Sequence, residues 1–264
     1  MLNEKIFLTD DESVYLETLV PLKTTGYLRK ALLVIPGGGY KDVCAHREGE
    51  HIAEAFIPHG FACFVLHYSV NRKRPYPAQL IEASLAVKHI KENAEEYGID
   101  PEEVFAVGFS AGGHLAGSLA TMWHRPEVYE GTGLSYGENK IKGAMLIYPV
   151  ISDQIPTFRN LLCTDTPTEE ELAYVSIAKA VDENTAPCYI MHTANDRVVP
   201  VRNALDMASA LSENNIPFEL HVYPDGAHGV ALANAITECT NPAWNRPEVT
   251  CWVEQAAIWA KGLA

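Results

Sequence analysis

The sequence predicts an α/β protein, built on a mainly parallel sheet with helices on both faces. Three observations predict it. Short apolar runs rich in β-branched residues alternate along the chain with segments of helical periodicity, the pattern that strand–helix–strand crossovers leave in a sequence. One run, Val104–Val107, passes directly into Gly108-Phe109-Ser110-Ala111-Gly112 and then into small helix-forming residues, which reads as strand, tight turn and helix. At 264 residues, 47% of them apolar, the chain is long enough to bury one large core.

The elements follow in order. Ser13–Val20 alternates in part and reads as an early strand, and Ala31–Ile35 and Ala62–Leu66 read as buried ones. From about Pro77 to Tyr97, Leu80, Ala83, Val87, Ile90 and Ala94 recur at spacings of three and four on one helical face. That helix starts at a proline and stops at Gly98, as helix ends prefer. Val104–Val107, Gly143–Tyr148, Cys188–Thr193 and Phe218–Tyr223 complete the predicted strands. A helix near Asn203–Asn214 is expected to bury Leu205, Ala208 and Leu211 or their neighbours, and a last helix near Pro247–Lys261 carries Trp252, Val253, Ala256 and Trp259. The rhythm breaks once. A polar, irregular stretch at about 151–185 separates two core strands, and connections this long are usually functional. Within it Thr166-Pro167-Thr168-Glu169 reads as a helix start, with Thr166 as cap, Pro167 first in the helix and Glu169 closing a capping box. The acidic run Glu169–Glu171 then suits the positive end of the helix dipole. The reading is one domain over 1–264 with a small lid at 151–185.

Ser110 is the candidate nucleophile. G-x-S-x-G arises by chance about once in ten chains of this length, so the pattern alone is modest evidence. Its setting between strand and helix adds weight, because a serine at such an apex is pushed above the sheet, and Gly108 and Gly112 stand where a Cβ would collide with the adjoining strand or helix. A serine hydroxyl needs a base, and the base needs a third group to orient it. On such scaffolds the order is Ser, Asp or Glu, then His. Asp196 follows the strand-like run Cys188–Thr193, and His228 follows Phe218–Tyr223 on a loop with Gly226 and Gly229. Asp196 and His228 are therefore the expected acid and base. His192 and His221 lie inside strands and His114 on the elbow helix, where packing explains them; Asp225 sits in a Pro-Asp-Gly turn that explains it without catalysis. An oxyanion formed on a carbonyl needs preorganised amides. Ala111 supplies one, and Gly38 and Gly39, in the loop after Ala31–Ile35, supply the others. That loop lacks the Gly-Lys-Ser/Thr ending and the spacing of a phosphate cradle.

Net charge is −14, which argues against nucleic-acid backbones and anionic membrane surfaces as partners. The first twelve residues carry no basic region followed by an apolar stretch, and no apolar run approaches membrane-spanning length. The six cysteines are scattered without C-x-x-C, and Cys63 and Cys188 read as buried thiols. The expectation is a cytoplasmic protein in a reducing compartment.

A resemblance rests on Pro36-Gly37-Gly38-Gly39-Tyr40 with His46-Arg47-Glu48, His67-Tyr68-Ser69-Val70, Tyr76-Pro77-Ala78, Gly108–His114, Ile147-Tyr148-Pro149-Val150, His192–Asp196 and Gly226–Gly229. On these motifs, spanning about Ala31 to Gly229, the chain resembles an α/β-hydrolase esterase. It is most similar to the bacterial acetyl-xylan or feruloyl esterase-like group related to hormone-sensitive-lipase-like esterases. Lipase-like relatives open the glycine loop with His, and Pro36 departs from them toward the sugar esterases. The resemblance implies a carboxylester hydrolase without metal or cofactor, often acting on acetylated sugars; a small-molecule or oligosaccharide ester is the expected substrate. Tyr40 and Arg47 are candidates for shaping its pocket. A serine peptidase of the same fold, which would usually need an extra specificity domain, and a non-catalytic binding protein are the alternatives.

Overall fold

The computed structural model describes residues 1–152 and 154–263; Asp153, inside the predicted insertion, and Ala264 lie outside the described residues. The strands are β1 (Lys5–Phe7), β2 (Tyr15–Leu19), β3 (Arg29–Ile35), β4 (Phe61–His67), β5 (Ile99–Phe109), β6 (Gly143–Ile147), β7 (Cys188–Thr193) and β8 (Phe218–Tyr223). They form one sheet in the order β1-β2-β4-β3-β5-β6-β7-β8. The first two pairings are antiparallel and all the others parallel. The helices are α1 (Ala45–Glu48), α2 (Glu50–Phe56), α3 (Ala78–Glu92), α4 (Ala94–Tyr97), α5 (Ala111–Met122), α6 (Ile155–Leu161), α7 (Glu169–Val175), α8 (Arg202–Glu213) and α9 (Trp252–Gly262).

The apolar runs read as strands because the sheet is covered on both faces, so successive side chains all find a dry neighbour. Along β3, Ala31, Leu33 and Ile35 enter one core with Leu80 and Val87 of α3 and Leu115 and Leu119 of α5. Leu32 and Val34 enter the opposite core with Ile52 and Phe56 of α2 and Trp252 and Ala256 of α9. After β3 the chain adds β4 on one side, then returns to place β5 on the other. Order reverses there, and open α/β sheets hold ligands in the crevice at the carboxyl ends of such neighbouring strands. The loops after β3 and β5 carry Gly38, Gly39 and Ser110.

Four details differ from the expected pattern. The helix expected over about 77–97 breaks at Asn93 into α3 and α4. The α8 face is rotated: Leu205 is exposed, and Ala204, Met207, Ala208 and Leu211 are buried. In α7 the cap is Thr168, not Thr166, and Glu171, not Glu169, closes the capping box. Both Thr-x-x-Glu registers satisfy the local chemistry, and the helix takes the one that places Val175 in the core. Finally, residues 247–251 form turns, so the last helix begins five residues later than Pro247, at Trp252.

Candidate active site

Ser110 stands between β5 and α5 with φ 52° and ψ −114°, a conformation a non-glycine residue adopts only under constraint. The surroundings supply the constraint. Its amide donates to the Ile147 carbonyl (3.0 Å) and its carbonyl accepts from Val150 (3.0 Å). A Cβ on Gly108 would meet the Gly112 carbonyl oxygen, and one on Gly112 the Ile35 and Pro36 carbonyls, so strand, turn and helix approach too closely for any other residue there.

His228 lies on the loop after β8 and Asp196 on the loop after β7, and the structure brings both to Ser110. The Ser110 hydroxyl is 2.8 Å from His228 Nε2, and His228 Nδ1 is 2.6 Å from Asp196 Oδ2. A carboxylate only accepts, so Nδ1 carries the hydrogen and Nε2 is left with a lone pair facing the hydroxyl. Burial raises the Asp196 carboxyl, but hydrogen bonds from His192, His228 and the Val198 amide outweigh it and hold the group well below its usual range. Asp196 Oδ1 also accepts from the amides of Val198 (2.8 Å) and Val199 (3.0 Å). The acid is thus ionised and oriented. A hydroxyl so placed can pass its proton to the neutral imidazole, and the carboxylate can stabilise the imidazolium that forms.

The glycine loop lies alongside. Gly38 and Gly39 line the cavity of about 280 Å³ that contains Ser110 and His228. Every carbonyl from Pro36 to Tyr40 is occupied on the protein side. Tyr68 Oη donates to Pro36 (2.7 Å), Cys44 N to Gly37 (2.9 Å), Lys41 N to Gly38 (3.0 Å) and Asn71 N to Tyr40 (2.9 Å); Asn160 Nδ2 donates to Gly39 (2.9 Å). In a trans peptide the N–H points opposite to the C=O. Fixing the Gly37 and Gly38 carbonyls therefore turns the amides of Gly38 and Gly39 the other way, and among the described residues these two amides and that of Ala111 donate to no protein acceptor.

The remaining histidines and Asp225 are placed as packing predicts. His192 is buried, with Nε2 on the Val199 carbonyl (2.9 Å), and His221 bonds Glu219 (2.6 Å). Asp225 binds Arg246 (2.8 Å) and Asn195, not His228. Tyr40 needs correction as a pocket residue: it is buried at 1% exposure, and its hydroxyl bonds His114 Nδ1 (2.8 Å) beneath the elbow. Arg47 does line the cavity. Its guanidinium lies 3.5 Å from the Trp244 ring centroid, with Nε on the Thr237 carbonyl (3.2 Å) and Nη2 on the Gly229 carbonyl. It therefore ties down the loop that carries His228.

Two further residues beside the site, Glu48 and Trp244, lie outside the expected set of site residues. Glu48, 4% exposed, accepts from the Gly37 amide (2.8 Å) and from Tyr148 Oη (2.8 Å); the Tyr148 ring stands edge-on to His228 at 5.2 Å. Burial first, and the Glu48 charge second, push the Tyr148 hydroxyl far above the usual phenol range, so it stays a donor. Trp244 Nε1 donates to the His228 carbonyl (2.8 Å). Glu48 had a signal in its place beside Arg47; Trp244 had none beyond being a tryptophan in a polar loop. From the insertion, Gln154 and Thr157 face the cavity.

An eight-stranded sheet with this order and a serine elbow at its switch point defines the α/β-hydrolase fold. The BD-FAE family model matches residues 16–211, and the chain belongs to that family. It is 41% identical over 218 residues to endo-1,4-beta-xylanase B of Butyrivibrio fibrisolvens, covering 78% of this chain and 33% of that protein. It is 28% identical over 231 residues to the acetylxylan esterase of Xylanibacter ruminicola, covering 84% and 45%. The chain thus spans less than half the length of these curated relatives. Among solved structures, the acetyl ester-xyloside bifunctional hydrolase of Caldicellulosiruptor lactoaceticus superposes with a TM-score of 0.83 at 27% identity, covering 98% of this chain and 96% of that one.

Proposed function

We propose that this protein is a carboxylic ester hydrolase that removes short acyl groups, acetyl foremost, from sugars or xylo-oligosaccharides. The observation that carries the reading is the continuous line Ser110 Oγ–His228 Nε2 (2.8 Å) and His228 Nδ1–Asp196 Oδ2 (2.6 Å) beside the unoccupied amides of Gly38, Gly39 and Ala111. Family membership and the names of the acetylxylan esterase and acetyl ester-xyloside hydrolase relatives support the ester and the sugar.

In this reading Ser110 attacks the ester carbonyl while His228 takes its proton. The Gly38, Gly39 and Ala111 amides stabilise the tetrahedral oxyanion, and Asp196 the imidazolium. His228 then protonates the departing sugar hydroxyl, leaving an acyl group on Ser110. Water activated by the same imidazole releases the acid and restores the hydroxyl. The insertion at 151–185 is a wall over this site, with Gln154 and Thr157 toward the substrate. Purified protein should hydrolyse p-nitrophenyl acetate and acetylated xylo-oligosaccharides, with rates falling as the acyl chain lengthens. Ser110→Ala should lower turnover by a factor on the order of 10⁶. Near-normal hydrolysis by that variant would remove Ser110 from the mechanism, and indifference to all acetylated sugars would remove the substrate class.

A further inference from the structure

We infer that the insertion does more than wall the cavity: it holds the oxyanion loop in place, with Asn160 and His114 as the positioning residues. The inference rests on the reading of Gly38 and Gly39 as oxyanion donors.

The loop is unevenly secured. At Gly38 a Cβ would strike the Asp42 carbonyl, so that residue is wedged by its own turn. Gly39 is different. It has φ 65°, a Cβ there would touch nothing within 4 Å, and no packing fixes it. Its amide is aimed by the Gly38 carbonyl, which accepts from Lys41 N (3.0 Å) and Asp42 N (3.2 Å), and its own carbonyl is held by one hydrogen bond across 121 positions of sequence, from Asn160 Nδ2 on α6 (2.9 Å). Of the five loop carbonyls, this is the one tied to the insertion. The next residue is tied to the insertion as well. Tyr40 Oη donates to His114 Nδ1 (2.8 Å), and His114 Nε2 donates to the Val175 carbonyl at the end of α7 (2.7 Å). The imidazole is wholly buried, and its neutral form alone offers one acceptor to Tyr40 and one donor to Val175. Thr157, one turn before Asn160 on α6, lines the cavity. One short helix therefore touches both the space where substrate sits and the Gly39–Tyr40 peptide, next in the chain to the Gly38–Gly39 peptide whose amide must stay aimed at the oxyanion. Without Asn160 the Gly39–Tyr40 peptide loses its tie to α6, the unpacked glycine gains freedom on that side, and the amide on its other side is held less firmly.

Two variants test this. Asn160→Asp keeps the shape and removes the donor; Asn160→Leu removes polarity altogether. Each should lower kcat for p-nitrophenyl acetate about tenfold, short of the roughly 100-fold to 1000-fold cost of deleting a whole oxyanion donor, with KM within about twofold. The pH profile should keep its shape, because His228 and Asp196 are untouched. Hydrogen exchange of the peptide covering 36–44 should speed up in both variants. Unchanged kcat with unchanged exchange would overturn the inference. So would a higher KM at constant kcat, which would make the insertion a substrate wall only, or a displaced pH profile, which would route the effect through His228. If the wild type itself hydrolyses no ester, the proposed function fails; the exchange measurement still decides whether Asn160 holds the loop.

Discussion

The elbow around Ser110 is crowded at both of its glycines, whereas the glycine loop beside it is crowded at Gly37 and Gly38 but reaches Gly39 with room to spare, held there by hydrogen bonds. At Gly108 and Gly112 main-chain atoms leave no room for a Cβ. At Gly39 there is room, and the peptide stays put because Asn160, Cys44, Lys41, Asn71 and Tyr68 occupy the loop's carbonyls. The two solutions suit the two tasks. The proposed nucleophile must be strained outward, and close contact at Gly108 and Gly112 together with the hydrogen bonds to Ile147 and Val150 holds Ser110 at φ 52° and ψ −114°. A donor pair must be oriented, and fixing carbonyls from behind aims amides forward without filling the space in front of them.

This contrast can be broken in several ways. The largest effect should come from Gly112→Ala, which drives a methyl into the Ile35 and Pro36 carbonyls. It should cost at least about 3 kcal/mol in urea unfolding, or prevent folding. Gly39→Ala meets no atom and incurs only the left-handed backbone cost, about 1 kcal/mol. Equal losses at the two positions would erase the distinction. Between them stands Glu48→Ala, which strands the Gly37 amide and the Tyr148 hydroxyl in a buried site. Loss of their acceptor should lower stability by about 2–3 kcal/mol in the same assay.

His114 sharpens the comparison through pH. Burial lowers its pKa from 6.5 to about 4, partly opposed by the bond to Val175. As pH falls below 6.5 the unfolded imidazole takes up a proton that the folded one refuses until about pH 4. Its contribution is therefore complete above pH 6.5 and is lost as pH falls toward 4, amounting to about 3 kcal/mol over that window. His114→Gln should flatten this part of the stability–pH curve measured by urea midpoints; an unchanged slope would place the titration elsewhere. As small as that of Gly39→Ala should be the effect of Thr168→Ala, which opens the capping box of α7 and should cost about 1 kcal/mol.

The same contrast explains what could be read from the sequence. Shape leaves local marks: the glycines of the elbow, the apolar runs of β3 to β7 and the positions of Asp196 and His228 just past strands were legible because each constraint acts between near neighbours or repeats with a fixed period. Hydrogen bonds between distant segments leave none. Asn160 is one asparagine in a polar insertion, and nothing nearby marks its partner as Gly39. Tyr40, following the glycines, looked like a pocket residue, yet its ring turns inward to His114. Arg47 was recognisable as part of a motif, while its grip on the His228 loop depends on Trp244 and Gly229 arriving from elsewhere in the chain. Leu205 failed for another reason: α8 offers Ala204, Met207, Ala208 and Leu211 as an equally periodic stripe, and the sheet selects that one.

The central claim is that Ser110 carries the acyl group. Acid quenching during turnover of an acetyl ester, followed by peptide mapping, tests it directly. An acetyl adduct is expected on the peptide holding Ser110 and absent from Ser110→Ala. An adduct on another residue, or turnover that persists in Ser110→Ala, would contradict it.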